Sequence, residues 1–131
     1  MAQSRAWLIA NDDAMVSCNQ QKRLKTLISD RLAGKPLAYI TGRRAFWEGD
    51  FVVTEDTLIP RPETELLVEA VLAMHDATPR QVLDLGTGSG CIAVSLACER
   101  PGWHVIAADL SPGAINVAKK KTAAISRTSV M

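Results

Sequence analysis

The sequence predicts an α/β fold built on a parallel sheet, and three observations carry that expectation. The run Gln81 to Leu85 is apolar and of strand length, and it passes directly into the glycine-rich turn Gly86-Thr87-Gly88-Ser89-Gly90. Cys91 to Glu99 follows as a helix closed by Pro101-Gly102. A second apolar run, Trp103 to Ala108, then ends in Asp109. Strand, turn, helix and strand in that order make a βαβ unit, the connection that two parallel neighbours require. The second run reads as a parallel strand buried on both faces.

The turn carries the chemistry. Gly86 and Gly88 let the backbone bend tightly and approach a ligand where a Cβ would collide, and Gly90 opens a helix whose free N–H groups face the same space. Dinucleotide-binding oxidoreductases show Gly-x-Gly-x-x-Gly, which here needs a glycine at position 91, where Cys91 stands. Asp84, two residues before the first glycine, suits a cationic ligand such as the amino acid and sulfonium part of S-adenosylmethionine better than a pyrophosphate. Asp84, Gly86, Thr87, Gly88, Ser89 and Gly90 therefore read as an S-adenosylmethionine site. Asp109 lies 19 residues past Gly90, where the acidic tip of a second strand accepts hydrogen bonds from ribose hydroxyls. The plain alternative for Asp109 is a helix-capping aspartate.

Upstream, Ser17-Cys18-Asn19-Gln20 has the form of a capping box, and Leu24, Leu27, Ile28 and Leu32 follow at helical spacing before Gly34 and Pro36. Arg5 to Ala10 is a short helix or the end of one, broken by Asn11-Asp12-Asp13. Ala45 to Val53 reads as two strands around a glycine-containing turn, a β-hairpin linker. A helix from Glu63 to Leu72 then sets Leu67 with Val71 and Val68 with Leu72 as an apolar stripe, with Glu65 and Glu69 on the other face. Ser111-Pro112 supplies an N-cap and a first-turn proline for a helix ending in Lys119-Lys120-Lys121, whose charge matches a helix C-terminus. Thr122 to Met131 shows no strong period.

The formal charge of the 131 residues is +1, unevenly placed: positions 1 to 45 carry eight Lys/Arg against three Asp/Glu. That basic front could face RNA or a ribosome-associated partner, but a solvated helix face explains it as well, so direct nucleic-acid binding is not expected. Cys18, Cys91 and Cys98 are odd in number and lack zinc spacing, which indicates core thiols in a reducing compartment. His75 and His104 sit in no ligand motif, and no metal is implied. No signal-peptide pattern opens the chain and no run reaches about 20 apolar residues, so the cytoplasm is expected and a membrane is not.

Arg5-Ala6-Trp7-Leu8-Ile9, Gly34 to Gly42, Leu58-Ile59-Pro60-Arg61-Pro62-Glu63-Thr64-Glu65 and Asp84 to Gly90 together resemble the bacterial and organellar release-factor glutamine methyltransferases. The Ile-Pro-Arg-Pro-Glu-Thr-Glu string is the most specific part. The resemblance implies the remnant of a helical substrate-recognition domain over 1–44, a β-hairpin linker over 45–58, and the first half of a Rossmann-like S-adenosylmethionine methyltransferase sheet over 59–131. It implies methyl transfer to the glutamine amide nitrogen in the Gly-Gly-Gln motif of a peptide-chain release factor, with Pro60, Arg61, Glu63 and Thr64 near the active cleft. The family's Asn-Pro-Pro-Tyr motif is absent, since the six prolines at 36, 60, 62, 79, 101 and 112 include no adjacent pair. An amide nitrogen is a poor nucleophile that must be aimed by positioned acceptors, so no catalytic residue is assigned, and an incomplete, inactive form is expected. Only two strands of the sheet are expected. Two other classes remain open: a non-catalytic S-adenosylmethionine-binding module, and half of a nicotinamide-dependent oxidoreductase.

Overall fold

The structure is a computed structural model that describes residues 3–122 and 128–131, and the chain divides into two compact units, Met1–Lys35 and Pro36–Met131. In the first unit, α1 (Arg5–Ala10) is capped by the Ser4 side chain, which accepts from the Trp7 amide, and it ends at Asn11. Helix α2 (Cys18–Leu32) begins with the expected reciprocal box: Ser17 Oγ accepts from the Gln20 amide at 3.3 Å, and Gln20 Oε1 accepts from the Ser17 amide at 2.8 Å. Two donors that a bare helix end would leave unpaired are thus satisfied. The apolar stripe of α2 is present but open, for Leu24, Ile28 and Leu32 are all exposed.

The second unit begins with α3 (Leu37–Thr41), a helix of five residues too short to show a period in the sequence. Strands β1 (Arg43–Phe46) and β2 (Gly49–Val52) pair antiparallel, with Phe46 opposite Gly49. The turn is therefore Trp47-Glu48 and contains no glycine. Trp47 takes the left-handed conformation at φ 52°, while Gly49 lies in the strand, where an added Cβ would come 2.7 Å from the Phe51 ring. A 3-10 turn (Pro62–Thr64) leads into α4 (Glu65–Met74), followed by β3 (Gln81–Leu85), α5 (Cys91–Glu99), β4 (His104–Ala108), α6 (Pro112–Thr122) and β5 (Thr128–Val130).

Among the described residues the main sheet is parallel, in the order β3-β4-β5, so it has three strands and not two. Thr128–Val130 is too short to alternate visibly, and residues 123–127 lie outside the described residues. Val82, Val105, Ala107 and Val130 share the face on which α5 packs, with Val105 and Ala107 fully buried. The opposite face is open: Leu83 and Leu85 are exposed and Ile106 is only half-buried, so β4 is not covered on both sides. Covering a parallel sheet takes helices on both faces, and the described helices that contact it leave this one bare.

On α4, Val68 is wholly buried, Val71 and Leu72 are half-buried, and Leu67 is exposed, so the stripe is narrower than expected. Glu65 departs further. It turns toward the hairpin and accepts a hydrogen bond from the Trp47 amide, while Glu69 alone stays exposed. Of the cysteines only Cys91 is a core thiol; Cys18 and Cys98 are exposed. Lys121, in the last turn of α6, donates to the Asp50 carbonyl and stands 5.2 Å from the Phe51 ring centroid, tying that helix to the hairpin.

Candidate functional site

Strands β3 and β4 end side by side, Leu85 opposite Ala108, and the glycine turn folds back over that shared tip. The amides of Gly86 and Thr87 both donate to the Ala108 carbonyl, at 2.8 and 3.0 Å. To make this return the chain enters the left-handed region at Gly86 (φ 75°), Gly88 (φ 57°) and Gly90 (φ 80°). Each such position costs a residue with a Cβ roughly 1–2 kcal/mol. An added Cβ at Gly86 or Gly88 meets nothing within 4 Å, so collision with the protein is not why glycine stands there. Conformation is the reason, and the space beside the loop is left clear. Gly90 has a packing role as well: its Cβ would lie 3.3 Å from the Ala118 Cβ, so glycine lets α5 start against α6.

Asp109 stands at the end of β4 and straps this loop. Its Oδ2 accepts from the Gly88 amide at 2.8 Å and its Oδ1 from the Ser111 amide at 2.9 Å. These two backbone donors, Ser111 first, hold the carboxyl below the ordinary aspartate value. Ser111 in turn caps α6, its Oγ accepting from the Ala114 amide. Asp84 faces inward, and its Oδ2 accepts from the Thr87 hydroxyl at 2.7 Å. Burial raises its pKa, the Thr87 bond opposes the rise, and the charge of Asp109 adds to it. Thr87 and Ser89 are buried. The Ser89 hydroxyl has no oxygen or nitrogen partner; it sits by the Cys91 thiol, whose pKa burial pushes up.

A second wall comes from the segment before α4. The Tyr39 hydroxyl donates to the Thr57 carbonyl at 2.7 Å, which ties α3 to the point where Leu58-Ile59-Pro60-Arg61 begins. Thr57 is itself buried and closes a turn with Thr54. A hollow of about 110 Å³ lies between this segment and the loop, lined by Leu58, Ile59, Pro60, Arg61 and Thr64 on one side and by Gly86 to Ser89, Cys91 and Ile92 on the other. Over the strand tips a wider hollow of about 460 Å³ is lined by Leu85, Gly86, Ala108, Asp109 and Leu110.

The residues singled out in the sequence thus divide. Pro60, Arg61, Thr64, Gly86, Thr87, Gly88 and Ser89 meet around the first hollow, and Gly86 and Asp109 around the second. Asp84, Gly90 and Glu63 line neither. Asp84 and Gly90 brace the loop from behind, and Glu63 lies exposed in the 3-10 turn. The sequence reading missed Leu58, Ile59, Leu85, Cys91, Ile92, Ala108 and Leu110 as lining residues. Leu58 and Leu110 are exposed leucines beside the loop, and an apolar residue in a connecting segment carries no signal in sequence that separates lining from filler.

Residues 1–42 match the PrmC N-terminal domain and residues 62–130 the methyltransferase small domain. A release factor glutamine methyltransferase from Xylella fastidiosa (strain Temecula1) is 46% identical over 121 residues, covering 92% of this chain and 44% of that protein. One from Cereibacter sphaeroides is 54% identical over 103 residues, covering 79% and 36%. The chain therefore spans less than half the length of these curated relatives. The apo form of the S-adenosylmethionine-dependent methyltransferase SibL is 32% identical over 53% of this chain and 21% of its own, at a TM-score of 0.44. With strand, glycine turn, helix and acid-tipped strand in place within the matched segment, the chain belongs to the methyltransferase small domain family.

Proposed function

We propose that this chain supplies the cofactor half of a methyltransferase that uses S-adenosylmethionine to methylate the glutamine amide nitrogen in the Gly-Gly-Gln motif of a peptide-chain release factor. The observation that carries the reading is the glycine turn strapped to the tip of β4 by Asp109, with open hollows on both sides. The residues fit the cofactor. Gly86 and Gly88 form a cradle that a Cβ would enter, and Asp109, while holding the Gly88 amide, lines the hollow a ribose would occupy. When bound, the cofactor supplies an electrophilic methyl group on a sulfonium.

The chain's own residues would act by binding and orientation. Asp84 and Thr87 keep the loop folded, Asp109 holds Gly88, and Pro60, Arg61 and Thr64 wall the first hollow, where the reactive end of the cofactor would lie. No Asn-Pro-Pro-Tyr string occurs in these 131 residues, so the amide-aiming acceptors are not among them, and the isolated chain is proposed to bind without transferring. Residues 1–44 would be the remnant of the substrate-recognition domain and 45–58 the linker. Among the described residues no helix is long and apolar enough to cross a membrane, and we place the protein in the cytoplasm, where its relatives' named substrate would be met.

The test is a chimera in which residues 1–131 replace the aligned segment of the Xylella relative, assayed with methyl-labelled S-adenosylmethionine and a release factor. Label on the intact factor, and none on a factor whose Gly-Gly-Gln glutamine is replaced, is the expected result. A folded chimera that labels neither would overturn the reading.

A further inference from the structure

We propose that Trp47 is a positioning residue that fixes the width of the first hollow by joining α4 to α5, a role that rests on reading that hollow as part of the cofactor site. Its two N–H groups go to two carboxylates on different helices. The backbone amide donates to Glu65 Oε1 at 2.8 Å, and the indole Nε1–H donates to Glu99 Oε1 at 2.7 Å. Glu65 is the first residue of α4 and Glu99 the last of α5.

Those two helices carry the two walls. The residues just before α4, Pro60, Arg61 and Thr64, line one side of the hollow, and the first residues of α5, Cys91 and Ile92, line the other. A shift of α4 against α5 would therefore open or close the hollow directly, and Trp47 resists that shift from the hairpin. The backbone at Trp47 supports the inference. It is the one non-glycine residue at positive φ among the described residues, a conformation that a bulky side chain holds only when its surroundings impose it. Both hydrogen bonds are charge-assisted, the kind strong enough to impose it. The Glu65 of the Pro-Glu-Thr-Glu string is thereby separated in role from its neighbours: it is a strut, and the wall is made by the residues before it.

The experiment measures amide hydrogen exchange and S-adenosylhomocysteine affinity on the full 131-residue chain and on Trp47→Phe, Glu99→Ala, Glu65→Ala and the Trp47→Phe/Glu99→Ala pair, with Glu99→Gln and Glu65→Gln as conservative variants. Trp47→Phe and Glu99→Ala should each speed exchange roughly tenfold or more over 58–66 and 86–92, with β3 and β4 unchanged. The pair should do no more than either alone, because both remove one bond. The glutamine variants keep an acceptor but lose its charge, and should fall between wild type and the alanine variants. Faster exchange spread evenly over the chain, or an additive pair, would overturn the role. Where the wild-type chain binds S-adenosylhomocysteine, equal affinity in Trp47→Phe would overturn it as well; a wild-type chain that binds none refutes the cofactor reading, and the exchange results alone then decide the role of Trp47.

Discussion

At the scale of single residues, the two aspartates of the site are set in opposite ways, and the difference is testable by pH. Asp109 is held low by two backbone donors, so its ionised form stabilises the folded loop; that stability is present above the ordinary aspartate value and is lost as pH falls through the lower folded pKa. Asp84 is raised by burial, so its ionised form costs the fold above its folded pKa, and the cost is relieved as pH falls through that value. Titration followed at the carboxyl carbons by NMR should place Asp109 below 3.8 and Asp84 above it, with the Gly88 amide signal moving with Asp109. The reverse order would contradict the strap. The place of Asp109 at the tip of β4 was legible from spacing alone because the length of a βαβ unit fixes where its second strand ends. Its bond to Gly88 was not, because nothing in the order of residues says that a strand-tip carboxylate turns back onto the loop.

At the scale of elements, β3 and α5 were readable to the residue, since two mostly apolar runs separated by a glycine-rich turn leave little choice of where a strand stops and a helix starts. Helix α3 and strand β5 were not, because five and three residues are too few to show a period. The hairpin was placed but its turn was not: the left-handed residue is Trp47, stabilised by carboxylates 18 and 52 positions away, and local propensity favours the nearby glycine. Glu65, expected on the face away from the apolar stripe, turns to the hairpin through the same long-range contact. The junction of loop and helix has its own test. Gly90→Ala should destabilise the chain by at least about 1–2 kcal/mol, because it places a side chain at φ 80° and drives it toward Ala118 in α6. Denaturant midpoints measure this, and an unchanged midpoint would mean that α5 and α6 are not set by that contact.

At the scale of the whole molecule, the loop, the strap and the Pro60-to-Thr64 wall lie within residues 36–131, where the sheet keeps one face bare. The site is therefore a glycine turn whose amides are held by Ala108 and Asp109, facing the Pro60-to-Thr64 wall, on three parallel strands with helices on one side. We propose that such a site binds the cofactor. The most direct test is calorimetric titration of the 131-residue chain with S-adenosylhomocysteine and, separately, with NAD. Saturable binding of S-adenosylhomocysteine at one site, weakened roughly tenfold to a hundredfold by Asp109→Ala and not displaced by NAD, is the result expected of a charge-assisted contact in this loop. Binding of NAD in its place, or S-adenosylhomocysteine affinity indifferent to Asp109, would contradict it.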